Sequence, residues 1–90
     1  MRLDLFVKVS RIIHRRTLAK ELCDGGKILL NLHPAKAASE VRPGDTIEID
    51  WPLLTRRYRV EFLPENRNVS REKSRELVTL LEEHRKEDLF

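Results

Sequence analysis

Arg15 and Arg16 set two guanidiniums side by side, directly ahead of the run Thr17-Leu18-Ala19-Lys20-Glu21-Leu22-Cys23. A guanidinium stays charged at any physiological pH, and its planar fork engages two oxygens of one phosphate. Arg2, Lys8, Arg11 and Lys20 add four more cations within the first twenty residues, where Asp4 is the only acid. From Thr46 onward the chain carries nine basic and ten acidic residues, so the net charge of +3 is concentrated at one end of the sequence. A basic patch of this kind raises the local concentration of polyanions and steers their approach. Phosphate is the implied ligand, and RNA its most fitting carrier. Arg2, Arg11, Arg15 and Arg16 are expected to make the primary contacts, with Lys8, Lys20 and Lys36 supporting them. Thr17 and the amides at the start of its helix can also receive a phosphate. Asp4 has a structural part to play, orienting Arg2 or a neighbouring backbone group.

The elements that must hold these groups are legible from periodicity. Leu3 to Val9 reads as a helix, with Leu3, Phe6 and Val7 on one side. Ser10 to Arg16 is a turn with Ile12 and Ile13 tucked inward, and Thr17 to Asp24 is a second helix that Thr17 can cap. Gly25-Gly26 supplies the left-handed residue that ends it. Lys27 to Leu30 follows as a buried strand, Asn31 to Pro34 as a turn, and Ala35-Lys36-Ala37 as a segment able to pair back antiparallel. Pro43-Gly44-Asp45 marks a tight turn. Ile47, Ile49 and Trp51 alternate with Glu48 and Asp50, and Tyr58, Val60 and Phe62 alternate with Arg57, Arg59 and Glu61, which makes a hairpin. Ser70 is placed to cap a final helix carrying Leu77, Val78, Leu80 and Leu81. The expected fold is α+β: two short N-terminal helices packed on a small antiparallel sheet, with a C-terminal helix, in a single small domain. Residues 1–64 form the binding unit, and 65–90 a polar linker with that last helix.

Size and composition exclude much other chemistry. Ninety residues, 40% of them hydrophobic, leave no room for a deep substrate cavity. One cysteine rules out an internal disulfide and suits a reducing, cytoplasmic setting. No apolar run reaches the roughly 20 residues of a membrane helix, and Asp4 and Lys8 interrupt what a signal peptide would keep apolar. Cys23 with His14 as its base is a weak catalytic pair, because Cys23 falls on the apolar side of its helix and behaves there as a small hydrophobe. His14, His33 and His84 are too scattered for a metal site. Gly25-Gly26 precedes a strand, not the helix and lysine of a nucleotide-cradling loop. No enzyme and no cofactor are expected. The short helices offer no side-chain row for reading a DNA major groove.

Taken together, these residues resemble the S-four-type RNA-binding domain, or alpha-L motif, named after a small-subunit ribosomal protein. Arg2-Leu3-Asp4 matches its opening, and Arg16-Thr17 the start of its second helix. Ala19, Leu22-Cys23, Gly26, Ile28, Leu30 and Asn31 match its middle, and Ala35-Lys36, Val41 and Pro43-Gly44-Asp45 its close. The match covers residues 1 to about 50. The family usually has Asn-Gly where this chain has Asn31-Leu32, so either the turn changes type or Leu32 adopts an unfavourable conformation. Met1 to Phe6 and the runs from Lys8 to Ile13 and Arg15 to Glu21 are most similar to the family's branch of ribosome-associated quality control P proteins. Heat shock protein fifteen is a more distant relative.

That resemblance implies a ribosome-associated monomer. It would bind rRNA and tRNA on a large ribosomal subunit obstructed by peptidyl-tRNA, and support alanine tailing by an RqcH-like factor. Two alternatives stay open: a heat-shock-type factor that recycles blocked subunits, and a protein–protein adaptor acting through the last helix. Trp51 and Tyr58 read as core by their alternation, with base stacking as the other possibility. The leucines of the final helix read as cover for the sheet, with partner docking as the alternative.

Overall fold

Burial at three- and four-residue spacing sets the first element of the computed structural model, which describes residues 1–87. Helix α1, Leu3–Val9, turns Leu3, Phe6 and Val7 completely inward and keeps Asp4 buried in its first turn. It stops at Ser10, and the chain reverses through Arg11, whose φ of 63° is left-handed. Ile13 returns to the core, its amide donating to the Val7 carbonyl at 3.0 Å. Helix α2 spans Arg16–Asp24 and buries Ala19 and Cys23 along one stripe. Gly26, at φ 72°, ends it as expected, and Lys27 donates its amide back to the Leu22 carbonyl at 2.8 Å.

Five antiparallel strands form one sheet in the order β2-β1-β3-β4-β5. They are β1 Ile28–Leu30, β2 His33–Pro34, β3 Thr46–Asp50, β4 Leu54–Val60 and β5 Val78–Arg85. Ile28, Ile47, Ile49 and Val60 point into the core, meeting Leu3, Phe6, Val7, Ile13 and Ala19 from the helices. The alternation read for the hairpin therefore holds through Ile47, Ile49 and Val60. It fails at its ends: Trp51 lies beyond β3 and is half-buried, and Phe62 lies beyond β4 and is exposed. Pro43 and Gly44 form a type II turn, with Gly44 at φ 92° and the Asp45 amide donating to Arg42.

Several expected details are corrected. Thr17 does not cap α2: Arg15 occupies the cap position in extended conformation and no side chain closes that helix end. Of residues 35 to 37 only Ala35 reaches β1, its amide donating to the Ile28 carbonyl at 3.0 Å, and Lys36 and Ala37 turn away. The strand paired with β1 is His33–Pro34, earlier than expected, because the Asn31-Leu32 turn is already complete, with φ values of 51° and 70°. Both residues of the turn thus keep the left-handed geometry that the usual Asn-Gly would take, and Leu32 bears the strain. Asn31 anchors the turn by accepting the Thr46 amide at 2.9 Å and donating to Asp45 at 3.1 Å. Ala37 and Ser39 instead accept the amides of Asp4 and Leu3 at the head of α1.

The C-terminal helix is the largest correction. Ser70 caps it as expected, accepting the Lys73 amide, but α3 runs only over Arg71–Ser74. Leu77 then enters the core, and Val78–Arg85 becomes β5. Without β5, the outer edge of β4 would leave a row of backbone donors and acceptors unpaired. Strand pairing satisfies them and sets Glu83 and Glu82 against Arg56 and Arg57 at 2.6 Å each. A bulge between Arg57 and Tyr58 shifts the register, and Leu80 and Leu81 remain 50% and 40% exposed. Covering the sheet falls to Leu77 alone among the expected leucines. The part of the anticipated helix beyond residue 87 lies outside the described residues.

Candidate RNA-binding face

Asp4 organises the basic face from beneath. Its side chain is 4% exposed and takes Arg2 on both oxygens, Nε to Oδ1 and Nη2 to Oδ2, at 3.2 Å each. Arg16 donates its Nε to Oδ2 at 3.0 Å, and the Leu5 amide reaches Oδ1 at 2.8 Å. Burial pushes the Asp4 carboxyl up. The hydrogen bonds from Arg16 and Arg2, the Arg16 charge and the Leu5 amide together outweigh it, so the group lies below its ordinary value. Asp4 is therefore ionised at neutral pH, and it ties the N-cap of α1 to the first turn of α2. Arg2 and Arg16 keep 50% and 37% of their side chains in solvent, so each retains donors for a ligand.

Two concavities open on either side of Arg16. One, about 280 Å³, is lined by Arg2, Asp4, Arg16, Thr17 and Lys20. The other, about 250 Å³, has Lys8, Arg11, His14, Arg16 and Arg67 among its walls, over Leu5, Val9 and Val69. Arg15, exposed at the α2 cap, faces a third groove with His14 and Thr17. Seven of the eight residues expected from the sequence thus line these three concavities. Lys36 lines none of these concavities; it is exposed in the segment that runs past the head of α1. Thr17 stands with the cations, although not as a cap.

Arg67 escaped the sequence reading. It sits in a polar stretch with no periodicity, and fifty-one residues separate it from Arg16. What brings it near is Arg11, whose Nη2 donates to the Val69 carbonyl at 3.3 Å and holds the segment after β4 against the α1–α2 connection. No local pattern encodes that contact.

Charge compensation differs between the arginines of β4 and the cations around Arg16. Arg56, Arg57 and Arg59 on β4 pair with Glu83, Glu82 and Glu61. Among the described residues, Lys8, Arg11, Arg15, Lys20 and Arg67 form no ion pair. The uncompensated positive charge of the helical layer is what a polyanion meets. Catalytic chemistry finds little support in the same region. Cys23 is buried, and burial together with Asp4 and Asp24 pushes its thiol up to about 11. Among the described residues no three acids, histidines or cysteines cluster as metal ligands, and no helix is long and apolar enough to cross a membrane.

Residues 1–47 match the S4 domain family. The RQC P-site tRNA stabilizing factor of Bacillus subtilis is 41% identical over 94% of this chain and 96% of its own. The factor of the same name from Listeria innocua is 39% identical over 98% of this chain and 94% of its own. The trimeric structure of Vibrio cholerae Heat Shock Protein 15 superposes with a TM-score of 0.80 at 23% identity, covering 90% of this chain and 81% of that one.

Proposed function

Because the chain belongs to the S4 domain family, a family of RNA-binding domains, and aligns almost end to end with RQC P-site tRNA stabilizing factors, we propose that it stabilises P-site tRNA in ribosome-associated quality control. In this reading it bridges rRNA and tRNA on large subunits obstructed by peptidyl-tRNA, and so supports alanine tailing by an RqcH-like factor. The observation that carries the reading is the cluster of uncompensated cations around the Asp4-linked arginines. Folded RNA is recognised through phosphates, 2′-hydroxyls and shape, and two adjoining basic concavities suit phosphates of neighbouring nucleotides. The contacts are Arg2, Arg11, Arg15 and Arg16, with Lys8, Lys20 and Thr17 beside them and Lys36 at the margin. The protein acts without catalysis, as a monomer in the cytoplasm, by holding RNA in place.

The test is co-sedimentation with purified large subunits, empty or carrying peptidyl-tRNA, over a salt series. A Lys8→Ala, Arg15→Ala double variant serves as control, since both side chains are exposed and neither supports Asp4. Preferential binding to obstructed subunits, falling with salt and weakened in the variant, is the expected result. Equal binding to both subunits would leave RNA recognition standing and remove the pathway. Binding indifferent to the two substitutions would move the interface away from this face.

A further inference from the structure

The third groove, about 470 Å³, has a chemistry unlike the two phosphate concavities. Ile12, Leu18 and Trp51 give it apolar walls, and His14, Arg15 and Glu21 form its polar rim. Trp51 is the chain's only tryptophan. It packs partly on the core while its remaining surface faces this groove. Leu18 is 37% exposed on the outside of α2 with no helix or strand laid over it. An aromatic wall, aliphatic neighbours, one cation and one carboxylate form a set suited to a planar group that carries amino donors and is tethered to a phosphate. That description fits a nucleotide.

We infer that the Trp51 groove receives one unpaired RNA base, stacked against the indole, while Arg15 takes the phosphate of the same nucleotide. The inference rests on the RNA-binding reading above and adds to it a second kind of contact. Arg15 borders this groove while its neighbour Arg16 borders both phosphate concavities, so one continuous strand can occupy all three. Paired bases are stacked inside their own helix and cannot enter, so the occupant comes from a loop, bulge or end. Stacking on an aromatic face tolerates any base. Glu21 favours those with an exocyclic amino group at the edge, since a carboxylate only accepts hydrogen bonds.

A single tryptophan makes the test direct, because a base stacked on indole quenches its emission. The full-length protein is titrated with two RNAs of equal helical length, a blunt duplex and a hairpin with an unpaired loop. The expected result is binding of both, with Trp51 quenched by the hairpin alone. Leu18→Gln, an exposed change that removes an apolar wall of the groove without altering charge, should weaken hairpin binding several-fold and leave duplex binding unchanged. Hairpin binding with unaltered emission would overturn the inference while keeping the RNA-binding reading. So would equal weakening of both RNAs by Leu18→Gln, or emission that responds to an apolar peptide and not to RNA. Failure of both RNAs to bind would remove the reading and the inference together.

Discussion

Arg16→Ala should injure this protein in two separable ways. In the folded chain Arg16 supplies one of the charge-assisted bonds to a carboxylate that is 4% exposed. Removing it leaves Asp4 with Arg2 at 3.2 Å and the Leu5 amide at 2.8 Å. A hydrogen bond to a buried charge contributes about 1.5–3 kcal/mol, and the partial exposure of the arginine lowers that to about 1–2 kcal/mol. For a chain of this size the melting temperature falls by roughly 5–15 °C. The pH dependence identifies the cause. Asp4 titrates below its ordinary range when folded, so it stabilises the fold above the unfolded carboxylate pKa of about 4, and that contribution disappears as pH falls through the folded value. In Arg16→Ala the folded value moves back toward ordinary, so the stability gap from the parent is widest near neutrality and closes in acid. Urea unfolding between about pH 3 and 7 measures this. Asp4→Asn, Arg16→Ala recovers much of the lost stability, because no buried charge is left with a missing partner, yet RNA binding stays weak. A gap constant with pH would refute the assignment of the penalty to Asp4. Recovery of RNA binding along with stability would show Arg16 to be structural only.

Other consequences can be checked by similar means. Arg67→Ala should lower the slope of log K against log salt for RNA hairpin binding by about 0.9, one phosphate contact, with no change in the urea midpoint. Leu32→Gly should stabilise the chain by about 0.5–1 kcal/mol in urea unfolding, since relief of a left-handed leucine exceeds the added freedom of glycine in the unfolded state. Leu32 is 65% exposed, so little packing is lost. Cys23, buried and with its thiol near 11, should react with iodoacetamide at pH 8 only as fast as the protein opens, and at least tenfold faster in denaturant.

The helical half of this fold was open to reading because its signals are local. Leu3, Phe6 and Val7 recur with helical spacing, Gly26 punctuates, and the cations lie within twenty residues of one another. The hairpin of β3 and β4 was visible as alternation. What eluded sequence reasoning depends on distant partners. Leu77, Leu80 and Leu81 have the spacing of a helix, and only the open edge of β4 and the facing Arg56 and Arg57 make a strand the better solution. Arg67 joins the basic face through a bond between Arg11 and a carbonyl fifty-eight residues away. The cap of α2 falls two residues before Thr17, on Arg15, a poor capping residue that no local signal marks. Asp4 among the cations is legible as a structural residue, although nothing local shows that it binds Arg16 as well as Arg2.

The cross-strand pairs between β4 and β5 have an effect far from their own strands. Glu83 and Glu82 of β5 match Arg56 and Arg57, and Glu61 just past β4 matches Arg59, so the sheet is nearly silent electrostatically and much of the excess positive charge is left beside the two N-terminal helices. A small protein with such a distribution is an electric dipole. In the field of a large polyanion it experiences a torque before it touches anything, and turns its helices forward while still separated by water. Were the β4 arginines unpaired, the chain would carry more attraction but less direction, and would arrive on its sheet as often as on its binding face. The glutamates of β5 thus trade the strength of the pull for its aim, raising the share of encounters that begin in the right orientation.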